Sequence, residues 1–199
     1  MSSYKRYGQR YGRAEIIRFL HAVDDFLDDD LSICMIGGVA AVIGYDAVIK
    51  TADIDVFEIT NAHVAVLRRA AASAADATGI DLMIDRASIA QLPFRYDDRL
   101  RHVRDVHFRK LTIMVPDKYD LVLSKMLRCY PHDLEAIASV HKQHPLSEKT
   151  LASRFEKELW KEAVGNSRSI ASMNYLKLIR RMTRCGLLPP PAAITMRRR

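Results

Sequence analysis

Ile36-Gly37-Gly38, followed fifteen residues after Gly38 by Asp53-Ile54-Asp55-Val56, is the stretch on which the reading of this chain turns. Ser32 to Ile36 is a short apolar run that reads as a buried strand, and the two glycines stop it abruptly. Val39 to Ile43 is apolar and Ala-rich, which predicts a short helix closing near Gly44. Asp53 to Ile59 alternates and reads as a second strand. On a strand, residues i and i+2 share a face about 7 Å apart, so Asp53 and Asp55 point the same way. Two such carboxylates can hold divalent ions about 3.5–4 Å apart, the spacing used for in-line attack on phosphorus. Hard oxygen donors favour Mg2+ or Mn2+ over zinc. Paired glycines ahead of a helix let a phosphate chain approach the backbone, with the helix N-terminal amides facing the anion. A D-x-D or a Gly-Gly turn alone is common, but their strand-turn-helix-strand order is much more specific. Two charges in an otherwise apolar strand are also costly unless something pairs with them.

Outward from this stretch the pattern is α/β on both sides. Ile16, Ile17, Phe19, Leu20, Val23, Phe26 and Leu27 fit one face of a helix over 14–28, ended by Asp28-Asp29-Asp30. Asn61 is placed to cap an Ala-rich helix that runs to Thr78, and Gly79 ends it. Ile80 to Asp85 reads as a third strand, 86–110 as an exposed irregular connection, and Leu111 to Val115 as a fourth strand. After Pro116 four helices are predicted, over 117–128, 133–142, 147–164 and 169–184. The expected organisation is therefore an α/β core over 1–116, a helical region over 117–188 and a loose basic tail over 189–199 that begins with Pro189-Pro190-Pro191.

Bulk composition narrows the function classes. A chain of 199 residues has room for one main domain with a smaller helical appendage. Its 49% hydrophobic and 28% charged content is that of a folded protein and not a disordered one. No apolar run reaches the roughly 18–20 residues of a membrane helix, and Met1 to Arg13 lacks the apolar core of a secretory signal. Cys34, Cys129 and Cys185 are odd in number and far apart, which predicts a reducing, cytoplasmic setting in place of disulfides or a zinc knuckle. The formal charge of +7 is concentrated at the ends, in Lys5, Arg6, Arg10 and Arg13, and in Arg180, Arg181, Arg184 and Arg197 to Arg199. Two readings stay open there: solvated basic tails, or attraction to a polyanion such as RNA. No Ser-His-Asp order, P-loop or dinucleotide fingerprint is evident.

The apolar-Gly-Gly block followed by Thr51-Ala52-Asp53-Ile54-Asp55-Val56 resembles the polymerase-β-type nucleotidyltransferase superfamily. The local text resembles more closely its AbiEii-like and MenT-like branch of bacterial toxin nucleotidyltransferases. That branch carries a later strand carboxylate, then L-x-x-S-K-x-x-R and D-L-x-x-I. Here these stand as Leu121, Ser124, Lys125 and Arg128, and as Asp133-Leu134-Glu135-Ala136-Ile137. The resemblance spans roughly residues 31–140 and implies the nucleotidyltransferase fold, a mixed sheet with flanking helices. It implies that Gly37 and Gly38 contact a triphosphate, that Asp53 and Asp55 ligate metal, that Lys125 reaches a phosphate and that Asp133 orients Lys125 or the nucleotide. Read without the flanking blocks, Lys125 is equally a solvated lysine and Asp133 a first-turn helix residue. Relatives usually carry an arginine just ahead of the T-x-D-I-D text. This chain has Ile49, with Lys50 beside it as the alternative source of charge and Thr51 following.

For the third carboxylate, Asp81 and Asp85 share a face by parity. Asp81 suits the family's pattern better and is preferred, as base for an attacking hydroxyl or as a metal ligand. His141 and His144 lie one helical turn apart with no third ligand and read as surface residues. Arg95, Arg99, Arg101, Arg104 and Arg109 interleave with Phe94, Tyr96 and Phe108, which suits either base stacking or a solvated loop. The expected activity is metal-dependent transfer of a nucleoside monophosphate from a triphosphate to a hydroxyl. The resembling branch makes a tRNA end the leading acceptor and a cognate antitoxin an expected partner. Transfer to a protein or a small molecule such as an aminoglycoside is the enzymatic alternative. A degenerate fold that acts as an antitoxin or RNA-binding scaffold is the non-enzymatic one.

Overall fold

Strand β1 (Leu31–Ile36) sits at the centre of a five-stranded mixed sheet and pairs antiparallel with β2 (Asp53–Phe57) and parallel with β5 (Leu111–Val115). Beyond β2 lies β3 (Met83–Arg86), parallel to it, and beyond β5 lies β4 (Arg101–His102), antiparallel, giving the order β3-β2-β1-β5-β4. The computed structural model describes residues 9–87, 91–126, 129–159 and 166–184. Lys5, Arg6, Arg128, Cys185, Pro189-Pro190-Pro191 and Arg197 to Arg199 lie outside them, as does the basic tail as a whole. The fold is α/β with a helical later half, as the sequence predicts.

Helices α1 (Arg13–Asp25) and α3 (Asn61–Thr78) pack on each other and on the sheet face that carries Met35, Ile54 and Val56. Their stripes supply the core, with Ile16, Phe19, Leu20 and Val23 from α1 and Val64, Leu67, Ala70, Ala71 and Ala74 from α3. Period-2 alternation in β2 buries Ile54 and Val56 here and leaves Asp53, Asp55 and Phe57 half-buried on the opposite face. The cap of α3 is Thr60, whose hydroxyl accepts the His63 N–H at 3.2 Å; Asn61 is the first helical residue. Gly79, with φ of 70°, ends the helix as predicted.

Two expected elements change. The third strand starts at Met83, not Ile80, so Asp81 precedes it. The connection over 86–110 contains a 3-10 turn (Asp97–Arg99) and the short strand β4, which its charged sequence masked. The turn is anchored from below. Arg99 makes a two-pronged ion pair with buried Asp120 of helix α4 (Lys118–Ser124), at 2.9 and 3.1 Å, and reaches Glu158 at 2.6 Å. Arg154, at the end of α6 (Glu148–Arg154), adds contacts to Asp117 at 2.6 Å and Asp120 at 3.0 Å.

Two apolar clusters share α4 and α5 (Pro131–Gln143) as a common wall. Leu121, Ala136 and Val140 join the sheet's core, whereas Val122, Leu123, Leu134 and Ile137 join Phe155 and Leu159 of a π turn and Leu178, Ile179 and Met182 of α7 (Asn166–Arg184). Side chains one residue apart on a helix diverge by about 100°, which is how one short helix serves both clusters. No helix among the described residues is long and apolar enough to cross a membrane.

Candidate active site

Helix α2 (Gly37–Tyr45) begins at the first glycine, so both glycines belong to its opening turn and Gly44 lies inside it. Gly37 has φ of 72°, a conformation that L side chains rarely adopt. The antiparallel register sets Asp55 opposite Ile36, and this carries the Asp55 carboxylate against Gly37. A Cβ on Gly38 would meet Thr51 Oγ1 at 2.9 Å and Thr51 Cβ at 3.2 Å. The Gly-Gly pair is thus fitted to the Thr-x-Asp-x-Asp text across β1 and β2, and the two blocks are two sides of one contact.

Thr51 is buried and its hydroxyl donates to Asp53 Oδ1 at 2.8 Å. Its backbone pairs with Tyr11 on the segment ahead of α1, N–H to O at 2.8 Å in one direction and 3.1 Å in the other. Lys125 follows the end of α4 and donates from Nζ to Asp133 Oδ1 at 2.9 Å, with both side chains buried. This burial rules out the reading of Lys125 as a solvated lysine. Asp133 is the third residue of α5, and its other oxygen accepts the Tyr130 N–H at 3.2 Å, so helix start and ion pair use one carboxylate.

These groups line one cleft of ≈ 540 Å³ that holds Gly38, Lys50, Thr51, Asp53, Asp55 and Lys125. Arg10, His132, Glu135 and Ser139 line it as well. Sequence reasoning gave no site role to those four. Glu135 stood inside a quoted motif and Arg10 inside a basic segment, and nothing local distinguished either from a solvated charge. Ser139 fixes the loop over 46–50 by accepting the Val48 N–H at 2.7 Å.

The two candidates for a third carboxylate, Asp81 and Asp85, are placed differently by the structure. Asp81 is exposed, precedes β3 and uses its N–H to donate to the Tyr11 hydroxyl at 3.2 Å. Asp85 is the residue in register with Asp55, and parallel partners present their side chains to one face. Its carboxylate forms an ion pair with Arg68 of α3. Among the described residues, no group of three or more His, Cys, Asp or Glu is set to hold a metal ion by protein ligands alone. His141 is a buried structural residue whose Nδ1 accepts the Leu146 N–H at 2.9 Å, and His144 packs edge-on against Tyr45. Cys34 shares the carboxylates' sheet face opposite Phe57, and burial, with Glu58 adding to it, pushes its thiol up to about 11. That keeps the thiol neutral near pH 7.

The model of one protein family, described as nucleotidyltransferase of unknown function (DUF6036), matches residues 14–182. The chain belongs to this family. No curated protein and no solved structure matches it. The match covers β1, α2, β2, α4 and α5, so every helix and strand that lines the cleft lies within the nucleotidyltransferase region. Arg10 and Tyr11 lie outside it.

Proposed function

We propose that this nucleotidyltransferase moves a nucleoside monophosphate from a nucleoside triphosphate to a hydroxyl acceptor and releases pyrophosphate. The observation that supports it best is the meeting, in one cleft, of the Asp53 and Asp55 carboxylates, the first turn of α2 and Lys125. The donor set suits magnesium or manganese. Such ions are held by one or two carboxylates plus substrate phosphate oxygens, so Asp53 and Asp55 would hold the metal without a third protein ligand. When bound, it would neutralise phosphate charge and polarise the phosphorus centre.

The chain's own groups would then act by position. Thr51 holds Asp53 in one orientation, and Asp55 is confined by Gly37. The α2 N-terminal amides would face the phosphates, and Lys125, fixed by Asp133 in the same cleft, would supply positive charge. Asp85 replaces Asp81 as our candidate for the carboxylate nearest the acceptor hydroxyl, because its register places it beside Asp55. Release from Arg68 would free it to accept the acceptor's proton.

The basic balance of the chain and the resemblance to the AbiEii-like and MenT-like toxins favour an RNA acceptor, with a tRNA end first, and a cytoplasmic protein whose activity an antitoxin restrains. The test incubates purified protein with total tRNA, Mg2+ and each labelled nucleoside triphosphate, beside Asp53→Ala, Asp81→Asn and Asp85→Asn. Label reaching tRNA with the wild type and Asp81→Asn, and lost with the other two, supports the whole reading. Loss with Asp81→Asn and not Asp85→Asn reverses the carboxylate assignment. Label on protein or a small molecule moves the acceptor. No label with any triphosphate favours a degenerate scaffold, the reading that the Arg68–Asp85 ion pair favours.

A further inference from the structure

Among the described residues Arg10, Lys50 and Lys125 line the cleft, and they differ in freedom. Lys125 is bound to Asp133. Lys50 and Arg10 are exposed, and among the described residues neither is paired with a carboxylate. Lys50 belongs to the loop that leads into β2. Arg10 comes from elsewhere, from the segment that precedes α1. Its neighbour Tyr11 explains why it is there. Tyr11 is buried, its backbone is joined to Thr51 by two hydrogen bonds, and its hydroxyl accepts the Asp81 N–H. The residue that fastens the segment is therefore the same Thr51 whose hydroxyl orients Asp53.

We propose that this N-terminal segment is a wall of the nucleotide site, and that Arg10 binds the terminal phosphates of the triphosphate. The inference rests on the nucleotidyltransferase reading of the cleft. A triphosphate brings more negative charge than Lys125 offsets, since Asp133 shares the charge of that lysine, and Asp53 and Asp55 add negative charge of their own. A further cation beside the metal offsets charge that remains on the terminal phosphates, and a guanidinium suits phosphate oxygens because it can bond two of them at once. Arg10 is one residue from a fixed anchor, so little freedom is lost when its side chain closes on the anion. Among the described residues Arg10 makes no hydrogen bond or ion pair that a substitution would break.

The test is titration calorimetry of the full chain with Mg2+-tripolyphosphate, for the wild type, Arg10→Gln, Arg10→Lys and the Asp53→Ala/Asp55→Ala double variant, with Mn2+ binding measured separately by electron paramagnetic resonance. Arg10→Gln is expected to weaken tripolyphosphate by about ten- to a hundredfold, the loss of a charge-assisted contact. Arg10→Lys recovers part of that loss, and Mn2+ binding without phosphate is unchanged in both. Tripolyphosphate affinity in Arg10→Gln equal to wild type overturns the proposal and leaves the cleft assignment standing. If the wild type binds tripolyphosphate no better than the double aspartate variant, the cleft assignment fails and the role of Arg10 fails with it.

Discussion

A Cβ on Gly37 would come within 2.5 Å of Asp55 Oδ2, so the turn out of β1 and the carboxylate on β2 compete for the same space. The positive φ of Gly37 adds a second constraint, because an L side chain is strained there whatever room it finds. Gly37→Ala is accordingly expected to lose about 1–3 kcal/mol of stability and to displace Asp55. Urea unfolding reads the first effect and Mn2+ affinity the second. Wild-type Mn2+ binding in Gly37→Ala would show that Asp55 is not a ligand.

Thr51 separates two roles that one hydroxyl and one backbone perform together. Its Oγ1 donates to Asp53, while its N–H and C=O hold Tyr11. Thr51→Val keeps the backbone pairing and removes the donor, so metal affinity should fall by about ten- to a hundredfold with little loss of fold. Thr51→Ser should restore most of it. Equal Mn2+ affinity in the valine and serine variants would contradict a positioning role.

Much of this was legible in the sequence, for physical reasons that also explain what was not. Ile54 and Val56 alternate with Asp53 and Asp55 because one face of β2 meets α1 and α3 and the other meets the cleft. The Gly-Gly block and the Thr-x-Asp-x-Asp text reveal their relation only through strand register, which chain spacing does not encode. Asp81 and Asp85 have the same parity and similar neighbours, so nothing local says where β3 starts. Pairing with β2 decides it. Strand β4 is two exposed residues in an Arg-rich stretch, and its only signature is the partner it finds in β5. Arg10 was hidden for a similar reason, since its place depends on Tyr11 bridging to a residue forty positions away.

Asp24 is a structural carboxylate that the acidic run after α1 concealed. It is buried, and its two oxygens accept the N–H groups of Arg109 at 2.8 Å, Lys110 at 2.8 Å and Leu111 at 2.7 Å. Burial works to raise its pKa, but the three backbone donors, with Arg109 nearby, outweigh that and hold it below the ordinary carboxylate value. With the folded pKa below the unfolded one, its stabilisation is complete above about pH 3.9 and is lost as pH falls through the folded pKa. Asp24→Asn should cost about 1–3 kcal/mol at pH 7, and the gap to wild type should close in acid. Denaturation at pH 7 and in steps below pH 4 measures both. A gap independent of pH would mean that the charge plays no part.

Lys125 and Asp133 offer the sharpest separation of stability from chemistry. Each is the other's buried counter-ion, at 2.9 Å and with side chains 6% and 0% exposed. Removing only the lysine takes a buried ammonium away from the Asp133 carboxylate, which also accepts the Tyr130 N–H, so Lys125→Met should cost about 3–5 kcal/mol. Replacing both, as Lys125→Met with Asp133→Leu, removes both buried charges and should regain most of that loss, minus the helix-start contact to Tyr130. If Lys125 serves only the fold, the double variant should also regain triphosphate binding. If it supplies charge to the phosphates, the double variant folds and still binds Mg2+-triphosphate weakly. Unfolding curves and triphosphate titrations on the four proteins of this cycle decide between the two, and we expect recovered stability without recovered binding.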